Sequence, residues 1–309
     1  MFMYKEMIKK ICNELNIECD FISKDYVCVL KKGNVRKVIT GYKFDLNPHA
    51  LGLVFDDKYA TYEYMKLLNI PVVTHSIIYN ENNLEKYALN CKGLSYLEEL
   101  FYKYNKDIII KINNGTCGRG VYHVTDINTA KDKYLKLISK HYSLSICPYY
   151  EIENEYRVIV LNSNIKLIYK KINPCIYGDG KSTIKELLTK FNYEYFKNYD
   201  KDNKDVVLKN NEKYVYDFRF NLSNGAICNF DILKKDKDSI ISIADEVLKT
   251  GIKFGSIDIV KSNNEFYVLE VNSGVMMDNL IIENNYYDEA YKIYKDAIEE
   301  LFMSSSGLK

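Results

Sequence analysis

The segment from Gly255 to Asn272 constrains the fold of this chain more than any other. Two β-rich runs, Gly-Ser-Ile-Asp-Ile-Val and Phe-Tyr-Val-Leu-Glu-Val-Asn, flank a polar run, Lys-Ser-Asn-Asn-Glu, and this pattern predicts a β-hairpin. Glu270 and Asn272 lie two residues apart and share one face of the second strand, while Asp258 lies on the first strand. Hard cations such as Mg²⁺ take oxygen ligands together with substrate phosphates. If the turn brings Asp258 opposite Glu270, the hairpin therefore predicts a magnesium site beside a nucleotide.

The register of this hairpin decides whether the metal site can form. Directly opposed residues of antiparallel strands share a face, and a slip of one residue moves a side chain to the other face. Pairing Asp258 with Glu270 requires an odd connection, such as five residues from Lys261 to Glu265. A four-residue turn from Ser262 to Glu265 would place Leu269 opposite Asp258 and point the carboxylates apart. We therefore expect an odd connection.

Length and composition narrow the class of protein. The 309 residues suggest two domains with a large core, and 43 basic against 42 acidic residues leave a net charge of +1. This balance argues against nucleic-acid and membrane partners. The first residues are too charged for a signal peptide, and no apolar run approaches a membrane span, so we expect a cytoplasmic protein. The eight cysteines show no metal-type spacing and are interpreted as reduced core or surface thiols.

Hydrophobic periodicity predicts alternating helices and strands along the chain. A small N-terminal α/β unit is expected to end near residue 54, with a helix at 1–16 and strands at 21–30 and 35–40. Further on, Ser182 is expected to cap a helix, and the polar segment 194–213 is a candidate mobile loop. The other helices are expected at 57–69, 95–104, 128–140, 237–250 and 287–302, and the other strands at 72–78, 107–112, 121–125, 145–149, 156–161, 165–171 and 214–220.

A glycine-rich loop follows the apolar strand that ends at Lys111. Gly115, Gly118 and Gly120 permit positive φ and close approach of the backbone to a ligand, and backbone N–H groups in such a loop can bind an anion. A β-hairpin with a flexible turn and a snorkelling lysine explains the same residues. Because a strand follows the loop, Walker and Rossmann motifs are excluded, and because the lysine precedes the loop, so is a protein kinase.

Five motifs between about residue 50 and residue 280 resemble the ATP-grasp superfamily in their order. They are Asp57-Lys58 before a helix and Asn69-Ile70-Pro71-Val72, then Ile110-Lys111-Ile112-Asn113-Asn114-Gly115, Ile146-Cys147-Pro148-Tyr149, Glu155-Tyr156-Arg157-Val158, and the set Asp258, Glu270 and Asn272. Within the superfamily, three further runs are similar to the ATP-grasp regions of cyanophycin synthetases and bifunctional glutathione synthetases. These runs are Gly178–Leu187, Asn221–Ala226 and Glu270–Gly274.

The resemblance implies an α/β (α+β) ATP-grasp fold in which ATP lies between two antiparallel sheets. A short N-terminal unit would span 1–54. A small lobe at 55–145 would carry the glycine loop, and a large C-terminal lobe at 146–309 would carry the metal site.

The resemblance also implies roles for individual residues. Those implied to bind ATP are Lys58 and Lys111 at the phosphates, Gly115, Thr116, Cys117, Gly118 and Gly120 in the covering loop, Cys147, Pro148 and Tyr149 at the adenine, and Glu155 at the ribose. Those implied to hold Mg²⁺, or alternatively Mn²⁺, are Asp258, Glu270 and Asn272. The candidate catalytic residues are Arg157 at the transferring phosphoryl group or acyl phosphate, and Lys171 and Arg219 at substrate anions. A structural ion pair of Arg157 with Glu151, Glu153 or Glu155 is the alternative for that arginine.

The activity implied by the resemblance is ATP-dependent joining of a carboxylate to an amine through an acyl phosphate, with release of ADP and phosphate. We expect amino acid or small peptide substrates, no nucleic-acid or membrane partner, and a candidate homo-oligomer. Two alternatives stay open. One is a ligase that modifies a peptide or protein side chain, and the other is an ATP-binding module without catalysis.

Overall fold

The structure is a computed structural model that describes residues 2–82, 90–116, 118–197, 199 and 201–303. Two compact units make up the chain: residues 1–170 together with 229–309 form the first, and residues 171–228 form the second. The three-part division predicted from the sequence stays a prediction. Among the described residues, no helix combines the length and the apolar content needed to cross a bilayer.

The N-terminal part of the first unit is a four-stranded antiparallel sheet, in sequential strand order, with one helix. Its elements are α1 (Phe2–Glu14), β1 (Glu18–Ile22), β2 (Val27–Lys32), β3 (Val35–Thr40) and β4 (Lys43–Phe44). The single strand predicted at 21–30 is wrong, because the chain reverses between β1 and β2. Ser23, Lys24 and Asp25 all have positive φ there, a backbone conformation that ends a strand.

A second four-stranded antiparallel sheet follows, with strand order β5-β8-β6-β7. Its elements and the preceding helices are α2 (His49–Asp56), α3 (Lys58–Leu67), β5 (Ser76–Tyr79), α4 (Gly93–Lys103), β6 (Ile108–Ile112), β7 (Val121–Val124), α5 (Ile127–Ile138) and β8 (Ser143–Pro148). Apolar side chains of β6 and β8 pack against α4 and α5, so these helices cover one face of the sheet. We call it the small sheet.

The chain then enters and leaves the second unit. Strands β9 (Asn154–Leu161) and β10 (Asn164–Ile172) lead into it, and its own elements are β11 (Cys175–Tyr177), α6 (Ile184–Phe191), α7 (Tyr193–Phe196) and β12 (Lys213–Val215). The N-cap of α6 is Thr183, in a capping box with Glu186, so the prediction of Ser182 as the cap is wrong by one residue. Ser182 instead donates its hydroxyl to Asp179 at 2.7 Å.

A five-stranded sheet forms the larger part of the first unit, and we call it the large sheet. The remaining elements are β13 (Ile227–Asn229), α8 (Lys234–Leu248), β14 (Phe254–Ser262), β15 (Glu265–Asn272), α9 (Asp278–Asn284) and α10 (Tyr287–Met303), and the strand order is β13-β10-β9-β14-β15. Val158, Ile257 and Val271 belong to one buried cluster with Ile240 and Val247 of α8. Alternate residues of β9, β14 and β15 therefore cover the core, and the residues between them line the opposite face.

The hairpin of β14 and β15 pairs Asp258 with Glu270, as the sequence predicts, but by a different route. The expected odd connection is wrong, because Ser262 pairs with Glu265 and the turn consists of Asn263 and Asn264 alone. Both asparagines have positive φ, as a two-residue hairpin turn requires. The register then shifts between Asp258 and the next pair, so Leu269 is an extra, bulged residue. The bulge restores the facing pair that the even turn would otherwise separate.

Candidate functional site

Three charged side chains form one row across the large sheet. Arg157 on β9 lies opposite Asp258 on β14, and Asp258 lies opposite Glu270 on β15. Opposed residues share a face, so all three project from the face away from α8. Asn272, two residues after Glu270, lies on the same face and donates its amide to Glu270 Oε1 at 3.4 Å. We call these four residues the large-sheet row.

Arg157 and Asp258 form a bidentate ion pair at the centre of this row. Arg157 Nε donates to Asp258 Oδ1 at 2.7 Å, and the terminal Nη2 donates to Oδ2 at 2.6 Å. The Asp258 side chain is only 2% exposed and that of Arg157 is 19% exposed. Burial opposes the charge on Arg157, but the charges of Asp258, Tyr169 and Glu270 and the hydrogen bonds to Asp258 together outweigh burial and raise the pKa of the guanidinium well above its usual value. The partner of Arg157 is therefore a predicted metal ligand, and not Glu151, Glu153 or Glu155.

Glu155 lies on the same strand and the same face as Arg157. It is buried and lies opposite Val260 of β14. The predicted ribose ligand and the predicted phosphoryl ligand are thus two residues apart on one face, as the period of a strand requires.

The donor atoms of the large-sheet row suit a hard cation. Asp258 and Glu270 supply carboxylate oxygens and Asn272 supplies an amide oxygen, which are the ligand types that Mg²⁺ and Mn²⁺ accept. Among the residues with described positions, no group of three His, Cys, Asp or Glu side chains is arranged to hold a metal. The predicted set contains two such residues, with the asparagine as its third member, so it agrees with that finding.

Two lysines of the small-sheet region lie near the large-sheet row. Lys111 is the penultimate residue of β6 and is 7% exposed, while Lys58 is the first residue of α3. Lys58 Nζ donates to the carbonyl oxygens of Asn113 and Gly115. Burial lowers the pKa of Lys58, the charge of Glu270 acts in the opposite direction, and the charge of Lys111 lowers the pKa further. The two predicted phosphate ligands and one predicted metal ligand are therefore within electrostatic range of one another.

Asn113 joins α3 to the end of β6, and no role was predicted for its side chain. Its buried side chain accepts the backbone N–H of Tyr59 at 3.1 Å and donates to Asp57 Oδ2 at 2.6 Å. Asp57 Oδ1 in turn caps α3 by accepting the N–H of Ala60 at 2.8 Å. Asn113 therefore holds Lys58 against the start of the glycine loop. A polar residue directly after an apolar strand was the one available sign of this role.

His75 is a second buried polar residue beside the lysines. Its Nδ1 lies 2.6 Å from the Ser145 hydroxyl, so the ring has a hydrogen-bond partner in the small sheet. Burial lowers the pKa of His75 well below its usual value, and the charges of Lys111 and Lys58 lower it further. The imidazole is therefore neutral at physiological pH. The sequence did not indicate that it lies beside the lysines.

The glycine loop connects β6 to β7, which pair as neighbours in the small sheet. Gly115 donates its N–H to Ile112 at 3.1 Å, and Thr116 accepts the N–H of Arg119 at 3.3 Å. Gly118 and Gly120 have φ of +64° and +67°, and a Cβ on Gly120 would lie 2.5 Å from Ile112 Cδ1. The loop therefore requires glycine at residue 120 for two reasons, conformation and space. The predicted loop residue Cys117 lies outside the described residues.

The predicted adenine segment ends the strand β8. Cys147 lies opposite Ile109 and packs with Val73 and Val260, so it belongs to the contact between the small sheet and the large sheet. Burial raises the pKa of its thiol. Pro148 lies opposite Ile108.

Tyr149, the last residue of this segment, is held by two contacts. It donates its N–H to the Asp107 carbonyl at 3.0 Å, and its ring stacks on His123 with centroids 3.9 Å apart. The Asp107 carboxylate lies 2.6 Å from His123 Nε2. The backbone N–H of Tyr149 therefore already has an acceptor within the protein, the carbonyl of Asp107.

The two remaining predicted residues belong to the second unit. Lys171 is buried on β10. Arg219 forms a bidentate ion pair with Asp217, donating through Nε at 2.9 Å and through Nη2 at 2.6 Å. Asn224 donates to the same carboxylate at 3.2 Å. Burial raises the pKa of Asp217, but the hydrogen bonds from Arg219 outweigh burial and lower it. The role of both residues at substrate anions stays a prediction.

Comparison with known proteins gives two relatives by sequence, while no protein-family model matches the chain. The cyanophycin synthetase of Geminocystis herdmanii is 27% identical over 256 residues, which cover 74% of this chain and 27% of that protein. The glutathione biosynthesis bifunctional protein of Lactiplantibacillus plantarum is 24% identical over 163 residues, which cover 52% of this chain and 20% of that protein. The chain thus spans about a quarter or less of the length of these relatives.

Solved structures give the fold. D-alanyl-alanine synthetase A from Vibrio cholerae aligns with a TM-score of 0.57 at 12% identity, covering 96% of this chain and 92% of that one. D-alanine–D-alanine ligase from Bacillus anthracis aligns with a TM-score of 0.55 at 13% identity, covering 82% and 68%. The mixed α/β ATP-grasp fold predicted from the sequence is confirmed.

Proposed function

We propose that this chain, a member of the ATP-grasp superfamily, is an enzyme that joins the carboxylate of an amino acid or small peptide to an amine at the expense of ATP. The observation that carries the proposal is the charge arrangement of the first unit. Lys58 and Lys111 lie beside each other, and neither forms an ion pair with any described residue. Glu270 of the large-sheet row lies within electrostatic range of Lys58. Such a site suits an anionic ligand that carries its own cation.

The two lysines are proposed to bind the phosphates of ATP, and the backbone of the glycine loop to cover them. A lysine ammonium with reduced hydration gains more from a phosphate than from water, because burial has already removed part of its solvent. The neutral His75 adds no competing charge beside them. Asn113 keeps Lys58 beside the start of the glycine loop, because its side chain bonds to Asp57 and Tyr59, the residues on either side of Lys58.

Arg157 is proposed to face the transferring phosphoryl group or the acyl phosphate. A guanidinium remains charged throughout the useful pH range and presents a rigid fork to phosphate or carboxylate oxygens. Asp258 holds this fork in one orientation through two bonds. A divalent cation bound by Asp258, Glu270 and Asn272 would neutralise phosphate charge.

The proposed chemistry has two balanced steps. A carboxylate oxygen attacks the γ-phosphorus, the bond to the β-phosphate oxygen breaks, and ADP leaves. The amine nitrogen then attacks the acyl carbon, expels phosphate and loses a proton. Both steps depend on positioning and charge stabilisation and require no covalent enzyme nucleophile. ATP as cofactor, Mg²⁺ as metal and a cytoplasmic location belong to the same proposal.

Substrate-dependent release of ADP tests the proposal. The purified chain is incubated with ATP, Mg²⁺ and pools of amino acids or short peptides, and hydroxylamine is added as the acceptor. We expect ADP, phosphate and a hydroxamate that form only when a carboxylate substrate is present. AMP and pyrophosphate as products would overturn the acyl phosphate. ATP binding without turnover across all pools would favour the binding module, and turnover only with a protein acceptor would favour side-chain modification.

The variant Lys111→Met tests the role of the buried lysines. Removing a charge beside Lys58 should raise the unfolding free energy of the free protein by about 1 kcal/mol or more. The same change should weaken ATP binding by about tenfold or more, because a charged contact to phosphate is lost. Lys136→Met, at an exposed position on α5, is the matched control and should change neither quantity. A fall in both stability and affinity would show that Lys111 is merely structural.

A further inference from the structure

Three thiols meet in the N-terminal sheet although their spacing in the sequence does not suggest it. Cys12 lies on α1, Cys19 on β1 and Cys28 on β2. The sulfur atoms of Cys19 and Cys28 are 3.4 Å apart. Cys19 pairs with Leu30 and Phe21 pairs with Cys28, so the two cysteines are diagonal neighbours on one face of the β1–β2 ladder.

Cys19 is the shared member of this cluster. Hydrogen bonds from the thiols of Cys12 and Cys28, in that order of strength, lower the pKa of Cys19, and the charges of Lys9 and Lys5 lower it further. The hydrogen bond to Cys19 raises the pKa of both Cys12 and Cys28. Cys19 is therefore the thiol of the cluster whose ionisation its neighbours favour.

Access to the cluster is unequal. Cys12 and Cys28 are buried, whereas Cys19 is half-buried. A surface pocket opens beside Cys19, and a small reagent in that pocket reaches its sulfur before that of Cys28, which does not line it. The residues that line the pocket are Lys9, Cys12, Asn13, Asn16, Ile17, Glu18 and Cys19.

We propose that Cys19 and Cys28 form a thiol–disulfide exchange site that a low-molecular-weight disulfide oxidises. The Cys19 thiolate attacks one sulfur of the reagent and forms a mixed disulfide, and the other half leaves as a thiolate. Cys28 then loses its proton and attacks the Cys19 sulfur, which breaks the mixed bond and releases the second thiolate. In total, one external disulfide is reduced to two thiols and one protein disulfide forms. The sulfurs approach from 3.4 Å to about 2.0 Å.

A metal site is the competing interpretation of three thiols, since thiolates are ligands for Cu(I) and Zn²⁺. Among the described residues, no group of three cysteine, histidine or acidic side chains is arranged to hold a metal ion. The cluster therefore favours exchange over coordination.

Peptide mapping after equilibration with oxidised and reduced glutathione tests this proposal on the full chain. Trypsin produces Ile11–Lys24, which contains Cys12 and Cys19, and Asp25–Lys31, which contains Cys28. A Cys19–Cys28 disulfide links the two peptides, whereas a Cys12–Cys19 disulfide leaves them separate. A second cleavage after Glu14 or Glu18 separates Cys12 from Cys19 and identifies the linked cysteine.

We expect the Cys19–Cys28 link to dominate, and Cys19 to be alkylated about tenfold faster at neutral pH than Cys175, a half-buried control thiol. Cys19→Ser should abolish the link and leave no mixed disulfide at Cys28. Cys28→Ala should trap glutathione on Cys19, and Cys175→Ser should change nothing. A stable mixed disulfide on Cys19 in the unmodified chain, a Cys12–Cys19 link, or thiolate-to-metal absorption on addition of Cu(I) or Zn²⁺ that Cys19→Ser removes would each overturn the proposal.

Discussion

Arg157 on the large sheet is bonded at two points to a carboxylate, whereas Lys58 beside the small sheet is bonded to carbonyl oxygens and lies next to Lys111. The positive charge of the large-sheet row is therefore compensated within the protein. The positive charge of Lys58 has no ion-pair partner among the described residues, and the charges of Glu270, Asp57 and Asp56 compensate it only in part. The two regions meet in a shared apolar contact that includes Cys147 and Val260.

The two regions are suited to different parts of a ligand. A bidentate ion pair keeps its geometry, so the large-sheet row can present fixed oxygen atoms. Lys111 is buried and Lys58 is half-buried, so their positive charges repel each other, and an anionic ligand removes that repulsion. The large-sheet row is therefore suited to orient a ligand, and the two lysines are suited to bind it. Variants of the large-sheet row and of the residues around the two lysines test this difference in charge compensation.

The first prediction concerns removal of one partner of the compensated pair. Asp258→Ala leaves the charge of Arg157 buried without its carboxylate, and we expect the unfolding free energy to fall by about 3–5 kcal/mol. Urea denaturation measures this loss. Glu270→Ala lies in the same row but leaves the pair intact, so its effect should be several times smaller.

The double variant Arg157→Met with Asp258→Ala distinguishes compensation from simple packing. Because both charges are removed, most of the loss should be recovered, and the double-mutant cycle should give a coupling energy of about 3 kcal/mol. Equal losses of unfolding free energy in Asp258→Ala and Glu270→Ala, with no recovery in the double variant, would contradict the compensation of Arg157 by Asp258.

The second prediction concerns the residue that positions Lys58. Asn113→Ala removes the acceptor of the Tyr59 N–H and the donor to Asp57, and we expect a loss of about 1–3 kcal/mol, because a buried donor and a buried acceptor are left unsatisfied. If Asn113 positions Lys58, ATP affinity should also fall about tenfold at a temperature at which circular dichroism shows the variant folded. Asn114→Ala, exposed and adjacent, is the control. Lower stability with unchanged affinity would limit Asn113 to a structural role.

The sequence predicted the order of strand, glycine loop and strand through local periodicity, and the facing pair of Asp258 and Glu270 through the requirement that both carboxylates contact one metal. It did not predict the bulge at Leu269, since an extra residue in a strand leaves no distinct mark in the alternation of the neighbouring side chains. The Asn263-Asn264 turn did have a signal, because two asparagines with positive φ are typical of a two-residue hairpin.

Contacts between distant parts of the chain were beyond the sequence for a different reason. Asn113 bonds to residues more than fifty positions away, and His75 lies seventy positions from Ser145. Neither pairing follows from local patterns, because each depends on how the strands are ordered in the sheet. The compensation of Arg157 by Asp258 belongs to the same class, since it results from the pairing of β9 with β14.

The smallest expected effect is a pH dependence that comes from His75. The pKa of His75 in the folded protein lies well below that of the unfolded chain, which is about 6.5. Above pH 6.5 the residue is neutral in both states and contributes nothing to the pH dependence. As the pH falls below about 6.5, the unfolded chain takes up a proton that the folded chain does not, so the unfolding free energy falls by about 1.4 kcal/mol per pH unit. In His75→Gln this component should be absent from urea denaturation between about pH 6.5 and pH 5, whereas His49→Gln, at an exposed position, should keep the slope of the unmodified chain. If the slopes of the two variants are equal, the imidazole is not held neutral beside the lysines, and the small sheet carries less uncompensated positive charge than its geometry indicates.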